Sequence, residues 1–148
     1  MTRFDPFDSD EVREWSEGFT HPPGLLETVA HWVGFSPLMV AWRFMWPDFA
    51  CVEGCVLLPW EYSAETLAGW QDRFPGDCQS IENAVNHLHL WDVFDPAEVS
   101  DGDLIALGEA LRRSWASALA DQFPDRAFEV SFTNDEVDYG PTVSIRSV

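Results

Sequence analysis

The sequence predicts an α+β fold, and three observations carry the prediction. Several short segments alternate apolar and polar residues with period two between Pro, Gly and Asp breaks, the pattern of strands. Residues 101–122 instead place leucines at helical spacing behind a Ser-Asp start. Two candidate hairpins also bring opposite charges together in the register that matches their apolar faces. The expected architecture is a mixed or antiparallel sheet of about five strands. It has hairpins over about 38–58 and 127–147, helices packed on it, and the order α-β-β-α-β-α-β-β. The 148 residues fit one acidic α+β domain, 1–148. Within it, residues 1–20, acidic with Phe4, Phe7, Trp15 and Phe19 interspersed, read as an arm or a short packed helix.

After the break at His21-Pro22-Pro23-Gly24, a short helix is expected from Leu25 to Val33, with Gly34 just past its end. Leu38–Trp46 shows period-two aromatics and reads as a strand, paired through Pro47-Asp48-Phe49 with a second strand at Ala50–Leu58. In that register Phe44 faces Val52 and Val40 faces Val56, while Arg43 falls opposite Glu53 on the other face. Ser63 is a good N-cap for a helix that ends near Phe74, before Pro75-Gly76. Residues 80–94 fit either period, and sustained alternation from Asn86 to Phe94 favours a strand over about 84–94. The longest helix opens at Ser100 and Asp101 and runs to about Gln122. Its stripe is Leu104, Leu107, Leu111, Trp115 and Leu119, with Glu109–Arg113 as an i,i+4 pair. In the final hairpin, Phe128, Val130 and Phe132 align with Val143 and Ile145 when Glu129 stands opposite Arg146.

Composition narrows the function classes. There are 26 acids against eight arginines and no lysine, a net charge of −18. A chain this acidic repels nucleic acid and anionic membranes, because both are bound by displacing counterions with Lys or Arg. The same charge fits GC-rich codon usage or adaptation to high salt. No apolar run reaches the length of a membrane span, and the first residues have no charged-then-apolar leader, so a cytoplasmic protein is expected. Cys51, Cys55 and Cys78 form no Cys-x-x-Cys pair. Their odd number reads as free, mostly buried thiols rather than a disulfide framework or a zinc site.

The common enzyme motifs are missing. No glycine pair forms Gly-x-Gly, no Gly-Lys-Ser/Thr exists in a chain without lysine, and there is no Gly-x-Ser-x-Gly elbow. This weighs against catalysis, and no cofactor is expected. His87 and His89 project to one face if 84–94 is a strand and are the candidate metal ligands, with Asp95 or Glu98 as a third. The acids at 101 and 103 suit a helix start better than a calcium loop. Arg43 and Trp60 are candidates for gripping a carboxylate in a Trp-walled pocket, although Glu53 gives Arg43 a simpler partner. Of the eight tryptophans, Trp42 and Trp115 are expected in the core, and Trp15, Trp60 and Trp91 at the surface. Exposed Trp beside acids suggests a partner surface made of Trp91, Asp92, Asp95, Asp135, Glu136 and Asp138. The favoured function is thus an interaction module that docks on a basic protein, of inhibitor, immunity or regulatory type. The alternative is a small-molecule or metal-binding protein, or an enzyme, using Arg43 and His87/His89. A third class is the subunit of a homo-oligomer.

Overall fold

Local caps define the helices of the first part of the chain. The computed structural model describes residues 5–135 and 139–148, and the chain divides into two units, 1–44 and 45–148. In the first unit, α1 (Asp10–Ser16) begins where the Ser9 hydroxyl accepts the Val12 N–H. In α2 (Leu25–Thr28) the Glu27 carboxylate reaches back to the Gly24 N–H at 2.7 Å. That helix continues as a π turn, Val29–Val33, until Gly34 ends it at a φ of 76°. The helix expected over 25–33 is therefore present.

The next segment corrects an expectation. Residues Phe35–Met45 form a helix, α3, rather than the first strand of a hairpin. The period-two aromatics at 42, 44 and 46 coexist with a helical stripe at Phe35, Leu38, Met39 and Trp42. Leu, Met, Ala and Arg favour the helix, and Pro37 sits in its first turn, where a missing N–H costs nothing. Trp42, expected in the core, is 50% exposed, and no residue of α3 is buried. The cross-strand Arg43–Glu53 pair disappears with the strand. Arg43 is on α3, and the Glu53 carboxylate accepts from the Gln71 amide.

In the second unit a tighter hairpin replaces the expected one. Strands β1 (Ala50–Val52) and β2 (Cys55–Leu57) are antiparallel, with Val52 opposite Cys55. Glu53 and Gly54 turn the chain with φ of 50° and 88°. Two consecutive positive φ values give the type I′ geometry that matches strand twist. The helices α4 (Ala64–Arg73) and α5 (Cys78–Val85) follow, capped by Ser63 and Asp77. The Ser80 hydroxyl and N–H both donate to Asp77 and hold its carboxyl below the ordinary value. Leu57, Leu67, Ile81 and Val85 pack into a core beneath this hairpin.

The cysteines also correct the expectation. Cys55 of β2 and Cys78, the first residue of α5, form a disulfide with their Cα atoms 4.9 Å apart, and Cys51 remains free and exposed. An odd count cannot distinguish three thiols from one bridge and one thiol, and only the fold brings 55 and 78 together.

Helix α5 also joins two sheets through buried polar side chains. Glu82 is fully buried. Its Oε1 accepts the Val56 N–H of β2 at 2.8 Å, and its Oε2 accepts the Ser147 N–H at 2.6 Å. Asn86, equally buried, accepts the Leu58 N–H at 2.9 Å and donates to the Val56 carbonyl at 2.7 Å. Both residues complete the hydrogen bonding of the β2 side that, among the described residues, pairs with no strand.

The second sheet has the order β3-β5-β4, all antiparallel, from β3 (His87–His89), β4 (Phe128–Asp135) and β5 (Gly140–Ser147). The expected 84–94 strand is shortened to β3. Helix α5 occupies its start, and a 3₁₀ turn at Leu90–Asp92 its end. The final hairpin has the expected register, with Glu129 opposite Arg146, Val130 opposite Ile145 and Phe132 opposite Val143. Helix α6 (Asp101–Gln122) is capped by Ser100 as expected. It buries Leu104, Leu111, Trp115 and Leu119, while Leu107 is half-buried. Glu109 bonds through its carboxylate to Arg112 at 3.0 Å, and Arg113 donates to the Glu109 carbonyl. The α+β class is thus present, with five strands in two antiparallel sheets among the described residues, the first expected hairpin being shortened to Ala50–Leu57.

Gly108 sets how closely α6 approaches the sheet. A Cβ there would lie 2.1 Å from the Phe132 ring. Gly108→Val is expected to destabilise the second unit by about 1–3 kcal/mol through overpacking. Urea unfolding checks this, and an unchanged midpoint would show that the helix can lift without cost.

Candidate functional site

Register determines which side chains meet on the outer face of the second sheet. Because side chains alternate along each strand, the face opposite α6 is a ladder of four rows. They are Glu129 with Arg146, Ser131 with Ser144 and His87, Thr133 with Thr142 and His89, and Asp135 with Gly140. A concavity of about 270 Å³ opens on this face, lined by Asn83, Glu129, Ser131, Ser144, Ile145 and Arg146. Nothing in the sequence reading anticipated it, although the Ser/Thr alternation along 129–135 and 142–146 is the signal that marks a polar face.

Beyond His89 the chain is pinned by Leu90, which is fully buried and whose carbonyl accepts the N–H groups of Val93 and Phe94. The 3₁₀ turn lays Trp91 over the tip of the β4–β5 hairpin. A Cβ at Gly140 would come within 2.7 Å of the indole, and Gly140 has a φ of 80°. Position 140 therefore requires glycine twice over. The Trp91 ring lies 5.9 Å from that of Tyr139, and His89 meets Tyr139 edge-on at 5.1 Å. Edge-to-face contacts at these distances are favourable. Tyr139 holds a φ of 67° while 56% exposed. A non-glycine residue in that region is strained by about 1–3 kcal/mol. The Trp91 Nε1 is buried and, among the described residues, has no hydrogen-bond partner.

The acids expected at the partner surface fall unevenly. Asp92 is exposed beside Trp91, and Asp135 is exposed in the row of Gly140, so both belong to this end of the sheet. Asp95 is exposed as well, but its carboxylate accepts the Ala97 N–H at 2.8 Å and shapes the following turn. Glu136 and Asp138 lie outside the described residues.

His87 and His89 do share a face, with ring centroids 5.0 Å apart. His89 Nδ1 is 2.8 Å from the Thr142 hydroxyl, and that hydroxyl donates onward to the Gly140 carbonyl. Among the described residues no third His, Cys, Asp or Glu joins the two imidazoles in a metal-sized group. Arg43 and Trp60 fall in different units. Trp60 packs on the buried Trp115 with centroids 5.7 Å apart and stays 41% exposed. Among the described residues no helix is long and apolar enough to cross a membrane. Comparison with protein-family models, curated proteins and solved structures finds no match for this chain.

Proposed function

We propose that this protein is an interaction module that docks on a basic partner through the acidic, aromatic end of its second sheet, as inhibitor, immunity or regulatory proteins do. The observation that carries the reading is topological. The β3–β5 pairing puts Trp91 and Asp92 against the hairpin tip that carries Asp135 and Tyr139, although more than forty residues separate them in sequence. A net charge of −18 steers a basic partner toward the protein, and rigid aromatic anchors supply affinity. Zero lysine leaves few charges to oppose such a partner.

The test is a pull-down from lysate at low and at moderate salt, with the native protein and with Trp91→Ala. A basic protein is expected at low salt and is expected to be lost as salt rises. Trp91→Ala should weaken its recovery by about tenfold or more, the effect of removing an anchor, with the circular dichroism unchanged. Recovery indifferent to both salt and Trp91 would overturn the proposal. The reading places the protein in the cytoplasm, where the Cys55–Cys78 bridge would meet reducing thiol pools. Thiol trapping in intact cells tests that placement separately.

A further inference from the structure

The outer edge of β4 carries backbone groups whose direction follows from the hydrogen bonds of β5. In an antiparallel strand the N–H and C=O of one residue point to the same side, and those of the next residue to the other. The Ile145 N–H donates to the Asn86 carbonyl, and the Ser147 N–H to Glu82. The odd residues of β5 therefore face β3 and α5, and Thr142, Ser144 and Arg146 face β4. Their partners Thr133, Ser131 and Glu129 point inward, so the backbone groups of Val130, Phe132 and Asn134 point away from the sheet. Among the described residues none of these groups bonds to another segment. Phe128–Asp135 is eight residues long and contains no proline, lysine or arginine, and its charges are the two acids Glu129 and Asp135 near its ends.

The apolar layer under this edge is unfinished. On β5, Val143 and Ile145 are 0% and 2% exposed beneath α6, whereas their cross-strand mates Phe132 and Val130 are only half-buried. One more strand beside β4 would cover them. On the outer face the same strand would run past Asp135 and past Glu129, whose carboxylate also accepts from Arg146. A second copy would bring a second net charge of −18 to the edge. Antiparallel self-pairing centred on Phe132 sets Glu129 directly against Asp135, and like charges in cross-strand positions are destabilising.

We propose that the basic partner adds an extended segment to β4 by strand augmentation, with apolar residues toward α6 alternating with arginine or lysine toward the outer face. This deepens the docking reading above and rests on it. The probe is a synthetic peptide of alternating arginine and valine, read by amide hydrogen exchange resolved by NMR. At low salt the peptide should slow exchange at Val130, Phe132 and Asn134 by about tenfold or more, and leave Ser131 and Thr133, already bonded within the sheet, unchanged. The same peptide N-methylated on alternate residues should lose that protection, as should the native peptide with Val130→Pro, which removes an outward N–H that the sheet does not use. A glutamate–valine peptide should give none. Peptide binding that perturbs only Trp91 and Tyr139 would overturn strand addition and leave the docking reading intact. No protection by any peptide would overturn strand addition, with the pull-down still deciding the docking reading. Concentration-dependent protection of the edge without peptide would assign it to a second copy and overturn the proposal.

Discussion

Glu82→Ala is expected to destabilise the second unit by about 4 kcal/mol, because each buried donor left without an acceptor costs about 1–3 kcal/mol. Three donors lose their partner at once: the Val56 N–H, the Ser147 N–H and the Ser147 hydroxyl at 3.0 Å. Arg126 also approaches this carboxylate, at 3.7 Å, but its side chain is 32% exposed. The contact is long and its Arg126 end is solvated, but Glu82 is fully buried, so the pair contributes about 1–2 kcal/mol, more than a surface pair. The backbone donors therefore dominate, and the variants rank accordingly. Glu82→Gln keeps one acceptor oxygen but turns an N–H₂ group toward a donor, so it should cost about 2 kcal/mol. Arg126→Met, which keeps an apolar stem beside Phe123 and Phe128 but loses the bond to the Ser147 hydroxyl, should cost about 1–2 kcal/mol. Urea unfolding followed by tryptophan fluorescence gives all three. Equal losses for Glu82→Ala and Arg126→Met would mean that charge, not backbone satisfaction, holds β2 to β5.

The importance of Glu82 was invisible in the sequence, whereas that of Ser63 and Ser100 was plain. The difference is the range of the interaction. A cap bonds to a residue three positions on, so Ser63 with Thr66 and Ser100 with Asp103 are written locally. The final hairpin was legible for a related reason. One register satisfied the apolar faces and the Glu129–Arg146 pair together, and a one-residue slip would have spoiled both. Leu38–Trp46 admits an equally good register, but its residues also carry a helical stripe and, up to Met45, lie in α3. Two periods in one nine-residue stretch leave the choice to propensity and to Gly34 and Pro37, which favour the helix.

The candidate site divides the same way. Trp91 and the acids near it were recognisable from composition, because a large aromatic among carboxylates is unusual in a core. That Trp91 lies on Gly140 and meets Tyr139 depends on the β3–β5 register, which no short-range signal encodes. Tyr139 was therefore missed, as were the outer-face hydroxyls of Ser131, Thr133 and Ser144. Asp95 shows what composition leaves out: its exposed carboxylate also accepts the Ala97 N–H and shapes the following turn.

Reducing the protein is expected to lower the melting temperature of the second unit by roughly 10–20 °C. The Cys55–Cys78 bridge closes a loop across a sequence separation of 23, and the chain-entropy relation assigns such a loop about 3.5 kcal/mol. For a unit of this size each kcal/mol moves the midpoint by about 4 °C or somewhat more. The Cys55→Ser, Cys78→Ser double variant should show the same loss without reductant. Cys51→Ser should show none, since Cys51 faces the opposite side of the hairpin from Cys55, across from Val56. Thiol counting under denaturing conditions gives an independent check, with one maleimide taken up by the oxidised chain and three by the reduced one. The reduced protein should still fold, because Glu82 and Asn86 hold β2 through three buried hydrogen bonds that do not involve sulfur. The covalent and the polar ties thus act on the same short strand. Removing both in a Cys55→Ser, Cys78→Ser, Glu82→Ala variant should leave the β1–β2 hairpin unprotected in hydrogen exchange. If that hairpin stays protected, the apolar contacts of Leu57 with Leu67 and Ile81 suffice to hold it, and neither tie is needed for docking it.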